Sequence, residues 1–268
     1  MLPLNGIRVL DLSTVVFGPY ASQMLADYGA DVIKIEAPEG DSTRKTGPTT
    51  ESGMSAIFLG VNRGKRSVVL DLKTAPAREA LLKLVDTADV LMHSIRPQKL
   101  AAIGLDPETV RTRNPRLVYV GLHGFAEDGP YGGMPAYDDI IQGMSGCAAL
   151  MERQTGTPQY FPTIAGDKTC GLVAGQAILS ALFHRERTGE GAYVEVPMFE
   201  AMVAFNLVEH VGKDLVELVV FRFRVLRLVL LGLRIFLSLG IGRRFWLGLR
   251  RPNGTAQETE RNCQNQDR

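Results

Sequence analysis

The stretch IRVLDLSTVVFGPYASQMLADYGADVIKIE (residues 7–36) decides the fold of this chain. It holds an apolar run rich in β-branched residues (7–12), a segment typical of a helix, and a second apolar run (31–36). Pro19 stands in the first turn of the helical segment and Gly29 near its end, which are the positions that these residue types favour. The stretch therefore predicts two strands joined by a helix, and near-continuous apolar strands are typical of a parallel sheet covered on both faces.

The same alternation continues on the C-terminal side of this stretch. Short apolar runs such as SVVLDL and LVYVGL predict strands, and amphipathic or small-residue segments between them predict helices. The predicted elements are strands at 67–72, 89–94, 117–122 and 192–198, and helices at 77–90, from about Asp167 to Gly189, and at 199–210. This order predicts an α/β domain with a mostly parallel sheet over residues 1–211.

From about Gly212 the composition changes to Leu, Val, Phe, Ile, Gly and Arg, and the chain closes on a polar string. We interpret residues 212–268 as an atypical Leu/Arg-rich tail, either frame-shifted or disordered. Arginines interrupt its apolar run, and each one at the centre of a membrane-spanning helix costs roughly 2.5–3.5 kcal/mol. A membrane span is therefore not expected, and an interfacial helix is the weakest alternative for this segment.

Composition excludes several classes of partner. Lys and Arg total 30 against 29 Asp and Glu, so neither nucleic acid nor an anionic membrane is expected to bind. The three cysteines form no CxxC pair and the four histidines are scattered, which predicts no metal site and a reducing cytoplasm. The first residues lack the pattern of a signal peptide, so a cytoplasmic location is expected.

Three common motifs are incomplete in this sequence. The turn after the first strand (13–23) lacks the GxGxxG spacing of dinucleotide sites. The segment GVNRGKRS (60–67) is one residue short of a phosphate loop and has Arg66 where Ser or Thr would bind magnesium. GMSGC (143–147) is not a complete GxSxG elbow, so NAD, NTPase and serine-hydrolase chemistry all lack support.

Five separated blocks carry a resemblance to a known family. They are FGPYASQMLADYGADVIKIEAPEGD (17–41), NRGKRSVVLDLK (62–73), DVLMHSIRPQKLAAIGLD (89–106), GPYGGMPAYDDIIQGMSG (129–146) and AGDKTCGLVAGQAILSALFHRERTGEGAYVEVPM (165–198). Over residues 3–210 the chain resembles the N-terminal half of the CoA-transferase III family, which includes formyl-CoA transferase, carnitine CoA-transferase and α-methylacyl-CoA racemase. The resemblance implies a truncated version of that fold, with a Rossmann-like large domain of parallel sheet and flanking helices, and a homodimer of interlocked subunits.

The resemblance places Asp167 at the family's catalytic aspartate. It implies transfer of coenzyme A between an acyl-CoA and a carboxylic acid through an aspartyl anhydride and an aspartyl-CoA thioester, with no permanently bound cofactor. A carboxylate nucleophile divides one difficult acyl transfer into easier steps, and a helix start is expected to keep it ionised. The alternative role for Asp167 is that of a helix N-cap.

The family's CoA-binding positions are also matched. By resemblance, the nucleotide would be lined by Leu70, Asp71, Leu72, Lys73, Ser94, Ile95 and Arg96. Arg63, Lys65 and Arg66 form a basic cluster that either helps to bind the phosphates or is solvated surface charge. Val16 replaces a glutamine of formyl-CoA transferase, which argues against that substrate pair.

Tyr137 stands where racemases of the family carry a histidine. A tyrosine with a pKa near 10 is a poor base, so a transferase is favoured over a racemase. Tyr137 is expected to line the acyl pocket or donate a hydrogen bond, or else to pack partly buried under its loop. His93 and His123 at strand ends are left out of the catalytic set, and an inactive remnant remains a further alternative.

Overall fold

A computed structural model of the chain describes residues 1–49 and 51–210, and the features below belong to the compact unit Met1–Val208. Within these residues six parallel strands form a sheet in the spatial order β3–β2–β1–β4–β5–β6. The strands are β1 (Arg8–Leu12), β2 (Asp31–Glu36), β3 (Arg66–Val69), β4 (Val90–His93), β5 (Val118–His123) and β6 (Tyr193–Pro197). The predicted α/β class and parallel sheet are confirmed, whereas the predicted tail at 212–268 lies outside the described residues.

Helices connect the strands and cover the sheet. They are α1 (Phe17–Asp27), α2 (Ala56–Asn62), α3 (Ala75–Val85), α4 (Pro97–Ala101), α5 (Pro107–Arg113), α6 (Asp138–Met144), α7 (Cys147–Thr155), α8 (Ala165–Thr188) and α9, which covers 198–208 within this unit, with a 3₁₀ turn at Ser42–Lys45. The long helix α8 ends as predicted at Gly189, whose φ of 82° is readily adopted by glycine. None of the described helices is long and apolar enough to cross a bilayer.

Both faces of the sheet are buried. Val118 and Val120 of β5 belong to the apolar cluster that includes residues of α1 and α8. Leu117 and Tyr119, which alternate with them, belong to a second cluster with residues of α3 and α5. Side chains of a strand point alternately to the two faces, so these nearly all-apolar strands require a helix layer on each side.

The strand order changes direction between β1 and β4, which are neighbours at the centre of the sheet. The chain builds β1, β2 and β3 towards one edge and β4, β5 and β6 towards the other. In open parallel sheets, loops leave such a switch point in opposite directions and open a crevice at the carboxyl ends of the strands. The topology therefore places the candidate site beyond Leu12 and His93.

Glycine brings α8 against the start of α1. A Cβ atom at Gly171 would lie 2.9 Å from Tyr20 Cδ1, which is closer than real Cβ contacts, and 3.0 Å from the Phe17 carbonyl oxygen, which is tighter than most of them. The second turn of α8 therefore lies beside the first turn of α1. This contact carries Asp167 to the crevice.

Candidate active site

A cavity of about 260 Å³ lies at the carboxyl ends of β1, β4 and β5. It is lined by residues of the loops that follow these strands and by the first turns of α6 and α8. The polar or charged side chains of the lining are Thr14, Ser94, Arg96, His123, Glu127, Tyr137, Asp138 and Asp167. The structure thus brings four of the sequence-predicted site residues, Ser94, Arg96, Tyr137 and Asp167, to one cavity.

Asp167 is the third residue of α8 and does not cap that helix. The N-cap position belongs to Ile164, which makes no side-chain cap hydrogen bond. Instead, the Asp167 amide N–H donates to Asp138 Oδ1 at 2.9 Å, so a carboxylate from α6 binds the helix start. The capping alternative for the Asp167 side chain is therefore wrong, and Asp167 instead lines the cavity.

A helix start is expected to lower the pKa of Asp167, but its surroundings in the structure raise that pKa. Burial, followed by the nearby carboxylate of Asp138, raises the pKa of Asp167 to about 6. The Phe17 amide N–H, which donates to Asp167 Oδ1 at 3.2 Å, acts in the opposite direction. Burial and like charge therefore outweigh the helix start, although the group is still mainly a carboxylate at pH 7.

Asp138 is a site residue that the sequence reasoning missed. It is buried at the first turn of α6 and accepts a hydrogen bond from Gln142 Nε2 at 2.5 Å, besides the one from the Asp167 amide. Gln142 Nε2 also donates to the Thr163 carbonyl at 3.2 Å, so α6 is tied to the loop before α8. The available signal was an acidic pair directly after Tyr137 in PAYDD.

Tyr137 lies at the N-cap position of α6 and lines the cavity. It is 71% exposed, so the alternative of a partly buried ring packed under the loop is wrong. A phenol in this position can contact a ligand in the cavity with its ring and its hydroxyl.

The segment after β4 divides between the two faces of the sheet. Ser94 and Arg96 line the cavity, and Ser94 Oγ accepts a hydrogen bond from the Thr14 amide at 3.1 Å. Ile95 instead packs against the apolar cluster on the far face, and its carbonyl lies 3.0 Å from His93 Nδ1. Ile95 is therefore not brought together with Asp167.

Residues 70–73 follow β3, the edge strand, and do not line the cavity. Leu70 and Leu72 pack partly buried against the core, and Asp71 Oδ1 accepts from the Lys73 amide at 3.1 Å in the following turn. They lie at the same edge of the sheet as Asp167, because all strands are parallel. Their role in binding CoA stays a prediction.

The basic cluster of the sequence analysis is paired internally. Arg63 lies 2.6 Å from Asp27 and Arg66 lies 2.6 Å from Asp31, both at the surface, and Lys65 is buried 3.0 Å from Asp11. Arg63 and Arg66 are exposed, so their role in binding a phosphate stays a prediction. The solvated-charge interpretation is wrong for Lys65, whose side chain is buried.

Val16, the position of a glutamine in formyl-CoA transferase, does not line the cavity. Val16 is buried and outside the cavity lining, whereas its neighbour Val15 lines the cavity.

His93 and His123 lie with ring centroids 5.6 Å apart at the ends of β4 and β5. Burial lowers the pKa of His123 and, with the neighbouring His123, lowers the pKa of His93 to about 3, so both imidazoles are neutral at pH 7. The described residues contain no cluster of three or more His, Cys, Asp or Glu that could hold a metal ion.

The chain is similar to known proteins in both sequence and structure. The sequence profile of CoA-transferase family III matches residues 4–216. Succinate–glutarate CoA-transferase of Agrobacterium fabrum is 42% identical over 209 residues, which are 75% of this chain and 52% of that protein. The chain spans about half the length of the curated relatives it matches.

Solved structures show the same similarity. The crystal structure of Rv3272 from Mycobacterium tuberculosis, 40% identical, superimposes with a TM-score of 0.72 over 79% of this chain and 60% of that one. A CaiB/BaiF family protein from Brucella suis, 38% identical, gives a TM-score of 0.76 over 80% of this chain and 58% of that one.

Proposed function

Because the chain belongs to CoA-transferase family III, we propose that it transfers coenzyme A between an acyl-CoA thioester and a carboxylic acid, with Asp167 as the nucleophile. The observation that carries the proposal is the carboxylate of Asp167 at a cavity formed at the strand switch point, with its pKa raised to about 6. A carboxylate of higher basicity is a better nucleophile, and at this pKa it is still ionised at neutral pH.

The proposed reaction conserves the thioester energy in covalent steps. The Asp167 carboxylate attacks the thioester carbonyl, the C–S bond breaks, and CoA leaves as a thiolate. The thiolate then attacks the Asp167 carbonyl carbon of the mixed anhydride, which releases the donor acid and leaves an aspartyl-CoA thioester. The acceptor carboxylate repeats both steps in reverse order, which regenerates Asp167 and needs no net proton transfer.

The Phe17 amide and Asp138 would serve different stages of this sequence. The amide N–H donates to Asp167 Oδ1 and orients the carboxylate for attack. Once Asp167 is acylated its negative charge is gone, so the repulsion from Asp138 is relieved. The site therefore favours the covalent intermediate relative to the free carboxylate.

The remaining residues are assigned to binding within the same proposal. Arg96, exposed at the cavity, would pair with a phosphate of CoA, and Ser94 and Tyr137 would contact the pantetheine or acyl part. Residues 70–73 would contact the nucleotide from the β3 side of the same sheet edge. A large domain at 1–211, a homodimer and a cytoplasmic location belong to the proposal as well.

The test is to trap the acylated aspartate. The protein is incubated with succinyl-CoA and hydroxylamine, digested, and analysed by mass spectrometry. A hydroxamate at Asp167 is the expected result, and Asp167→Ala should lose CoA exchange by on the order of a thousandfold or more. Asp139→Ala, at an exposed neighbour of Asp138, is the matched control and should keep both signals.

An unmodified Asp167 in folded protein that binds CoA would contradict the transferase mechanism and support an inactive CoA-binding remnant. Exchange of the α-proton of a 2-methylacyl-CoA without CoA transfer would instead support the racemase alternative.

A further inference from the structure

The turn that presents the Phe17 amide to Asp167 is strained. Val15, within the turn at 13–16, has a φ of 68°, and among the described residues it is the one non-glycine with a positive φ. This left-handed conformation is energetically unfavourable for a β-branched residue such as valine. Such strain persists only where the surrounding structure holds it in place.

Four buried charges lie beneath this turn, and we call them the buried quartet: Asp11, Lys34, Asp41 and Lys65. Lys34 Nζ lies 2.9 Å from Asp41 Oδ2 and donates to the Ser13 carbonyl at 2.9 Å. The Val15 amide N–H donates to Asp41 Oδ1 at 3.4 Å. One pair of the quartet therefore binds the backbone on both sides of Thr14.

The second pair of the quartet binds the flanks of the same turn. Lys65 Nζ lies 3.0 Å from Asp11 Oδ2 and donates to the Pro19 carbonyl in α1 at 2.9 Å. Asp11 Oδ1 accepts from the Ser13 amide at 2.9 Å and from the Ser13 hydroxyl. The quartet thus holds backbone groups before and after Phe17.

Burying the four charged groups of the quartet is energetically unfavourable compared with burying apolar side chains. Removing four charges from water carries a large desolvation cost, and well-packed apolar groups often replace buried ion pairs without loss of stability. Burial would raise the pKa of Asp11, but Lys65 and Lys34 hold it well below its usual range, and burial lowers the pKa of Lys65 to about 8. The ionised side chains of the quartet are therefore stabilised by one another and by the backbone groups of the turn.

We infer that the buried quartet is a positioning device, which holds the 13–16 turn in its strained conformation so that the Phe17 amide stays directed at Asp167. Its members are positioning residues and touch no reacting atom. The inference rests on the proposed role of Asp167 and extends it to the network that sets the nucleophile's geometry.

The inference has a measurable consequence, because the position of the Phe17 amide influences the pKa of Asp167. The groups that face it are Asp138 from α6, the Phe17 amide from α1 and Cys170 from α8. Burial raises the pKa of Cys170 to about 12, so this thiol is neutral. Among these groups the Phe17 amide is the one that favours the carboxylate, so loosening the turn should raise the pKa of Asp167.

The experiment measures this pKa without substrate, by NMR titration of protein labelled with ¹³C at the aspartate carboxyls, assigned with Asp167→Asn. Lys34→Met is expected to raise the pKa of Asp167 by at least about half a pH unit. The matched control is Arg185→Met, which breaks the buried 2.7 Å ion pair between Arg185 and Asp89. Arg185 lies on the same helix as Asp167, about 27 Å along its axis. It should lower stability and leave the pKa unchanged.

A rescue variant separates positioning from general stability. Glycine adopts positive φ without strain, so the turn should need the quartet less when Val15 is replaced. Lys34→Met/Val15→Gly is therefore expected to return at least half of the rise in the pKa of Asp167. If Lys34→Met does not fold, Lys34→Gln takes its place, with a smaller rise of the same sign expected.

An unchanged pKa in folded Lys34→Met, or in Lys34→Gln if only that variant folds, would overturn the inference. A rise of equal size in Arg185→Met would do the same, because it would show a general effect of lost stability. The hydroxylamine experiment on the unsubstituted protein is independent of this titration, so the failure of the proposed function and the failure of the positioning inference give different results.

Discussion

At the scale of single residues, the carboxylate of Asp167 is held where charge is unfavourable. Its pKa of about 6 lies above the ordinary value of 3.8, because burial and Asp138 oppose ionisation in the folded state. The folded state therefore holds this proton more tightly than the unfolded state does. Ionised Asp167 costs folding free energy fully above pH 6, and the cost disappears below pH 3.8.

Asp167→Asn should therefore stabilise the protein at neutral pH, and under the proposed function it should also abolish CoA transfer. A rise of about two pH units corresponds to roughly 3 kcal/mol, and partial solvent access reduces the expected gain to about 2 kcal/mol. Urea denaturation at pH 7.5 should show this gain, and at pH 4 the variant and the unsubstituted protein should be about equal.

Asp139→Asn is the control for that comparison, because Asp139 is exposed in the same first turn of α6 as Asp138. Its stability should differ little from that of the unsubstituted protein at either pH. A destabilised Asp167→Asn at both pH values would contradict the account of the raised pKa.

At the scale of elements, the approach of α8 to α1 sets the distance between Asp167 and the Phe17 amide. The approach depends on the missing side chain at Gly171, where Tyr20 and the Phe17 carbonyl leave no room for a Cβ atom. Gly175, one turn further along α8, meets only the Cε end of Met24, at 3.1 Å. The two glycines therefore offer a matched pair on one helix.

Gly171→Ala should destabilise the protein by about 1–3 kcal/mol, because overpacking here displaces backbone and outweighs the helix propensity of alanine. Gly175→Ala should lie within about 1 kcal/mol of the unsubstituted protein, because a flexible Met side chain can move aside. Chemical denaturation of both variants checks this, and equal effects would show that α1 and α8 do not limit each other's position.

Elements also differ in how well the sequence predicts them. The long helix α8 and the strands β1, β2, β4 and β5 were predicted because each shows its apolar pattern over enough residues. The strand predicted at 67–72 is observed at Arg66–Val69, and Leu70 and Leu72 pack partly buried against the core after the strand has ended. The short helices α2 and α4–α7 were not predicted, because five to nine residues carry too little periodicity.

At the scale of the whole molecule, His93 and Asp167 make contributions of opposite sign to stability in acid. Burial and then His123 lower the pKa of His93 to about 3, so the unfolded state binds this proton more readily than the folded state. Its contribution to stability is present above the ordinary pKa of 6.5 and is lost as the pH falls towards 3. Asp167 acts in the opposite direction between pH 3.8 and 6.

His93→Asn should therefore flatten the loss of Tm between pH 6.5 and pH 4, because it removes an imidazole that the unfolded state protonates more readily than the folded state does. Asparagine can keep a donor near the Ile95 carbonyl, which lies 3.0 Å from His93 Nδ1. Thermal melts across this range check the slope, with His184→Asn at an exposed position of α8 as the control. A slope as steep as that of the unsubstituted protein would contradict the role of His93.

The sequence by itself determined the α/β class, the parallel sheet and Asp167 as the candidate nucleophile, because strand and helix periods and family motifs are local patterns. Only the tertiary structure decided what surrounds that carboxylate: Asp138, 29 residues away, and the Phe17 amide, 150 residues away. It also decided that Lys65 is a buried partner of Asp11 rather than a surface charge. A pKa depends on burial and on neighbours within a few ångströms, and only the folded chain brings these neighbours together.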